Sequence, residues 1–147
     1  MELKEKLMLD LKEAMKEKDT VRKNTVQMVR SAILQFEKDN LCELDEEGVL
    51  DVIARELKKR RDVLPEYEKS GREDLIAGIS REIEILLTYL PKQLTKEELE
   101  VIVSEAISAV GATSMKDMGK IMAAVMPKTK GRADGKMINA IVKEKLS

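Results

Sequence analysis

Residues 89–99 read YLPKQLTKEEL, and they divide the chain. Pro91 has no backbone donor and crowds the turn before it, so a helix arriving from the N-terminal side is expected to end there. Thr95 with Glu98 three residues later is a capping box, in which each side chain satisfies the other's orphan amide. One helix therefore ends near Leu90 and another starts at Thr95. PKQL is the joint between them, too short for free motion.

Outward from this joint, both directions read as amphipathic helix. Upstream, Leu75, Ile79, Ile83, Leu86 and Leu90 mark the helix that ends at Pro91. Before it, a long helix is expected over Glu46–Lys69, capped near Asp45, with Val49, Val52, Ile53, Glu56 and Leu57 on successive turns. Pro65 is expected to kink or split it near Leu64, and Gly71 in SGRED is a C-cap. Leu3, Leu7, Leu11 and Met15 predict a first helix. Val21, Thr25, Met28, Ala32 and Phe36, widened by Val29 and Ile33, predict a second. Downstream, Leu99, Ile102, Val103, Ala106, Ile107 and Val110 give one stripe, stopped by Gly111. Ser114 and Asp117 resemble another box. Met118, Ile121, Met122, Val125 and Met126 follow, ending at Pro127. Asp134 then caps a last helix burying Met137, Ile138, Ile141, Val142 and Leu146.

No strand-like alternation survives between these segments. The reading is all-α: an N-terminal helical domain of about four helices over 1–92, and a small C-terminal domain of three over 93–147. The aromatic content of 2%, with no Trp, suits helix-on-helix packing through Leu, Ile, Val, Ala and Met.

Composition excludes several classes of chemistry. The 147 residues contain no histidine, which removes the commonest acid–base group near neutral pH. No phosphate loop or dinucleotide glycine motif is present. The lone Cys42 has no imidazole to activate it and reads as a small, partly buried apolar residue. No catalytic residue, cofactor or metal is expected. The N-terminus lacks a signal-peptide core and no run is long enough to span a bilayer, so a cytoplasmic location without membrane contact is expected.

Charge is balanced overall, at 27 Lys+Arg against 28 Asp+Glu. Any nucleic-acid site must be a local patch. RELKKRR, residues 55–61, spreads its cations around a helix and reads as a solvated face. Between Met115 and Ser147, however, eight cations face three anions. Half of those cations, Lys128, Lys130, Arg132 and Lys136, fall in PKTKGRADGK. Gly131 and Gly135 permit positive φ and close approach, and amides at the start of the last helix attract phosphate. Lys120, on the supporting helix, joins the candidate set. The methionines at 115, 118, 122 and 126 fit core filling better than a peptide groove. On these residues alone, a polyanion site and a plain interhelical turn weigh equally.

YLPKQL, DMGKIM and the string PK-x-KG-x-ADG-x-x-x-N lie within longer stretches, among them RELKKRRDVLPEYEKSGREDL and VGATSMKDMGKIMAAVMPKTKGRADGKMINAIV. Together they resemble the GatB/YqeY family, YqeY-type proteins in particular, over essentially the whole chain. The resemblance implies a helical N-terminal domain and a three-helix domain similar to the tail of the B subunit of glutamine-dependent aspartyl/glutamyl-tRNA amidotransferase. There the tail helps hold tRNA while the chemistry lies in other domains and subunits. Carbon–nitrogen ligase activity with glutamine as amido-nitrogen donor is implied only through the family. Pro65 departs from the family's straight helix. The expected role is a non-catalytic tRNA-binding accessory, contacting folded RNA by its backbone, with no DNA specificity. A component of a tRNA amidotransferase, working with its subunits or an aminoacyl-tRNA synthetase, is the second reading. A protein–protein adaptor is the third.

Overall fold

The computed structural model describes residues 2–146, which are all-α. Seven α-helices occur among them: α1 Leu3–Glu17, α2 Thr20–Asn40, α3 Glu46–Ser70, α4 Glu73–Leu87, α5 Lys96–Val110, α6 Met118–Thr129 and α7 Gly135–Leu146. A 3₁₀ turn at Met115–Asp117 leads into α6. Two compact units meet between Leu90 and Pro91. No helix among the described residues is long and apolar enough to cross a membrane.

In the first unit α3 packs on α4, α1 on α2, and α2 touches all three others. Leu7, Val26, Val29, Val49, Ile53 and Leu86 are fully or almost fully buried at its centre. The α1 stripe turns from Leu11 to Ala14, leaving Met15 52% exposed. A repeat of four residues overshoots the helical 3.6, so three such steps carry Met15 well around from Leu3. In α2 the buried line is Thr25, Val26, Val29 and Ile33, while Val21 and Met28 face outward. Two adjacent apolar faces compete there, and the neighbouring helices decide between them.

α3 runs unbroken through Pro65. Proline's own φ is helical and its conflict lies with the turn before it. Here the ring is exposed, so water can satisfy the carbonyl it leaves unpaired. RELKKRR is not wholly a solvated face, because Arg60 is buried. Its Nη1 donates to the Glu56 carbonyl at 2.9 Å and its Nε to Glu82 Oε1 at 3.3 Å. Cys42, expected to be partly buried, is exposed. α4 ends at Leu87, before Pro91, in a turn closed by Tyr89 N–H to the Leu86 carbonyl. Tyr89 then donates its hydroxyl to Asp10 Oδ2 at 2.5 Å.

In the second unit α5 packs against α6 and α7. Leu99 and Val103 of α5, Ile121 and Val125 of α6, and Ile138 and Val142 of α7 form its core. The capping box closes both ways: Glu98 N–H to Thr95 Oγ1 at 3.1 Å, and Thr95 N–H to Glu98 Oε1 at 3.4 Å. The second box is shifted, for Ser114 accepts from Lys116 N–H and Asp117 from Thr113 N–H. Met118 and Met122 pack on the core, whereas Met115, Met126 and Met137 are exposed. Of the residues expected inside on α7, Ile138, Ile141 and Val142 are buried and Met137 is not.

Candidate nucleic-acid interface

Half of PKTKGRADGK is helix. α6 continues through Pro127 to Thr129 and α7 starts at Gly135, so only residues 130–134 lie outside helices. Pro127 does not stop α6, because it disturbs the preceding turn and leaves the following residues free to donate. Lys128 therefore stands on the last turn of α6, and Lys136 on the first turn of α7.

Between them is a type II turn. Lys130 has φ −55° and ψ 122°, Gly131 has φ 71°, and Arg132 N–H donates to the Thr129 carbonyl at 2.8 Å. Only the third residue of such a turn needs positive φ, and glycine adopts it without strain. Gly135 is different: it opens α7 and is not among the positive-φ glycines. Thr129 anchors the turn from inside, 1% exposed, with Oγ1 donating to the Val125 carbonyl at 3.2 Å.

Asp134 caps α7 as expected. Its Oδ1 accepts from Lys136 N–H at 3.0 Å, and its carbonyl accepts from Met137 and Ile138 N–H at 3.1 and 3.2 Å. These amides are committed to Asp134, so side chains rather than the helix start must carry any contact with an anion. Lys128, Lys130 and Lys136 are exposed and Arg132 is half-buried. Lys120 is also exposed but sits eight residues before Lys128 on α6, about 12 Å along the axis at 1.5 Å per residue. The structure thus brings together Lys128, Lys130, Gly131, Arg132, Gly135 and Lys136, and leaves Lys120 at the other end of α6.

The interhelical joint completes the site. Leu94 N–H donates to the Arg132 carbonyl at 2.8 Å, and Gln93 Nε2 to the Gly131 carbonyl at 2.8 Å. In return Arg132 Nε donates to the Lys92 carbonyl at 3.2 Å. That bond occupies one of the guanidinium's five N–H donors. The roles of Lys92 and Gln93 have no local signal in the sequence, since 38 to 40 residues separate the joint from the turn. No group of three or more His, Cys, Asp or Glu among the described residues is placed to hold a metal ion.

In Kluyveromyces lactis, "Altered inheritance of mitochondria protein 41, mitochondrial" is 42% identical over 81 residues, 54% of this chain and 44% of that protein. The protein of the same name in Pyrenophora tritici-repentis is 24% identical over 142 residues, 95% of this chain and 78% of its own length. The E subunit of the glutamyl-tRNA(Gln) amidotransferase of Thermococcus gammatolerans is 35% identical over 60 residues, 41% of this chain but 10% of that protein. The chain spans about half the length of several of the curated relatives it matches.

The expected cytoplasmic location is corrected by the Kluyveromyces and Pyrenophora relatives, which are named as mitochondrial. A missing apolar export core argues only against the secretory route; organellar addresses are amphipathic and cationic and need no such core. The domain resembles the tail of the amidotransferase B and E subunits. Because the pattern of the Yqey-like proteins matches residues 4–146, nearly the whole length, the chain belongs to that family.

Proposed function

We propose that the second unit binds folded RNA of the tRNA kind, and that the protein is a non-catalytic accessory of tRNA metabolism. The observation that carries this reading is the pinned type II turn, which sets Lys128, Lys130, Arg132 and Lys136 around one short connection. Cations on a rigid support suit the sugar–phosphate backbone, which positions a partner without reading its sequence. With 2% aromatic residues there is little to stack on single-stranded bases, which favours recognition of folded RNA shape. The name of the Thermococcus relative supports tRNA as the partner, and the other relatives' names point to a mitochondrial setting.

The test is binding of unfractionated tRNA across a salt series. Four phosphate contacts give log affinity against log salt a slope of about −3. Charge reversal at Lys128, Lys130 and Arg132 should flatten that slope for all tRNAs alike. Reversal at Arg55, Lys58 and Lys59, which are spread around α3, should leave it unchanged. Equal losses from both triple variants would make the attraction diffuse. A second reading, a component of a glutamine-dependent tRNA amidotransferase, draws on the similarity to the Thermococcus protein. It predicts co-purification with an amidase and glutamine-dependent amidation of glutamyl-tRNA only when that amidase is present.

A further inference from the structure

The joint between the units is held at every residue from Pro91 to Thr95. Pro91 has its φ fixed by its ring, and its carbonyl accepts from Gln93 Nε2 at 3.2 Å. Lys92 gives its carbonyl to Arg132, Gln93 its amide to Gly131, and Leu94 its N–H to Arg132. Thr95 is locked in the capping box. Leu94 also packs on the core that contains Leu99, four residues into α5, in the manner of a hydrophobic staple. A surface lysine in an irregular segment ordinarily serves solubility alone. This one has a backbone fixed directly beside the basic turn, and its side chain is exposed. Its ammonium enters no ion pair among the described residues. Little chain entropy remains to be lost when such a backbone presents its charge to a partner.

We infer that Lys92 is a further phosphate contact of the basic turn, and that Gln93 is a positioning residue that holds the joint against it. This rests on the polyanion reading proposed above and extends that site to Lys92 in the joint PKQL. Gln93 touches no phosphate; it acts through the Gly131 carbonyl. Arg132 combines both tasks, with Nε on Lys92 and the rest of its fork toward the partner.

The experiment measures binding of unfractionated tRNA to the full chain over a salt series, for the parent, three single variants and the charge-reversal variant of the turn. Lys92→Gln should weaken binding about five- to eightfold at ~0.1 M salt and make the slope shallower by about 0.7 to 0.9. Gln93→Leu should weaken binding about two- to tenfold, the worth of one hydrogen bond, with an unchanged slope. Lys143→Gln, on the last turn of α7 and about 12 Å along the axis from its start, should behave as the parent. A Lys92→Gln variant that binds as the parent does, while charge reversal in the turn abolishes binding, overturns the inference and leaves the broader reading standing. Equal losses for Lys92→Gln and Lys143→Gln overturn it too, as diffuse attraction. An unchanged Gln93→Leu overturns the positioning role. A parent chain that does not bind tRNA removes both the broader reading and this extension of it.

Discussion

The first unit carries seventeen cations against twenty-one anions; the second carries ten against seven. The sign differs, and so does the use. In the first unit Arg22 reaches Asp10, Glu13 and Glu17, Lys4 pairs with Glu37, Arg81 with Asp19, and Arg60 with Glu56 and Glu82. Most of these pairs tie one helix to another. In the second unit Lys92, Lys116, Lys120 and Lys128 enter no ion pair among the described residues. The ion pairs of the first unit are part of its architecture. Much of the charge in the second is exposed and outside any ion pair among the described residues, which on the reading proposed above leaves it for an RNA backbone.

The largest effect that would test this contrast is expected at Arg60. Glu56 and Arg60 are 5% and 6% exposed, and Arg60 also lies 3.4 Å from Met28 Sδ. Arg60→Ala leaves Glu56 buried with only Lys59 Nζ, 3.0 Å away, as a cationic partner, and should destabilise the first unit by up to about 3 to 5 kcal/mol. Replacing both residues, Glu56→Leu with Arg60→Met, should recover most of that. Urea unfolding followed by circular dichroism measures both. The tRNA affinity of the folded variants should match the parent's. If Arg60→Ala weakens RNA binding while hardly changing stability, Arg60 belongs to the interface and the division of roles fails.

An intermediate effect is expected at Gly131. Valine there must adopt φ near 71°, a strained state for a β-branched residue, costing about 1 to 3 kcal/mol. Gly111, at φ 67° after α5, supplies the comparison. Gly131→Val and Gly111→Ala should both lower the stability of the second unit, but only Gly131→Val should also weaken tRNA binding. Equal affinity in the two variants would mean that the turn's shape is irrelevant to the partner.

The legible parts of the fold are those decided within a few residues. Thr95 with Glu98, Asp45 before α3, and the glycines at 71 and 111 all end or start helices where their chemistry requires it. Which apolar face of α2 turns inward was not legible, because Val26 and Met28 are equally acceptable to an isolated helix and only α1, α3 and α4 discriminate. Both Pro65 and Pro127 invite an expected break that does not occur, since a proline facing solvent disturbs only the turn before it. At the candidate site, the concentration of cations and the need for glycine at 131 are visible in the residues. The pinning of that turn by Lys92, Gln93 and Leu94 is not, because nothing in either string specifies a bond to the other.

The smallest effect is a pH dependence confined to the first unit. The ammonium of Lys4 and the N–H of Leu44, each 2.7 Å from Glu37 Oε2, hold that carboxyl below the usual range. Asp19 is likewise lowered, first by Arg22 N–H and then by Arg81. A carboxyl held low in the folded state contributes stability that is fully present above its unfolded value of about 4.3 for Glu or 3.9 for Asp. That contribution is lost as pH falls through the folded value. Glu37→Gln keeps the shape and removes the charge. It should therefore be less stable than the parent at about pH 7, and the gap should close as the pH is lowered toward about 3. Unfolding by urea at several pH values reads this directly. The variant should bind tRNA as the parent does at neutral pH, since Lys4, Glu37 and Leu44 all belong to the first unit. A gap of constant size across the series would show that Glu37 acts by packing and not as a carboxylate. A loss of RNA affinity would show that the charges of the first unit also serve the partner.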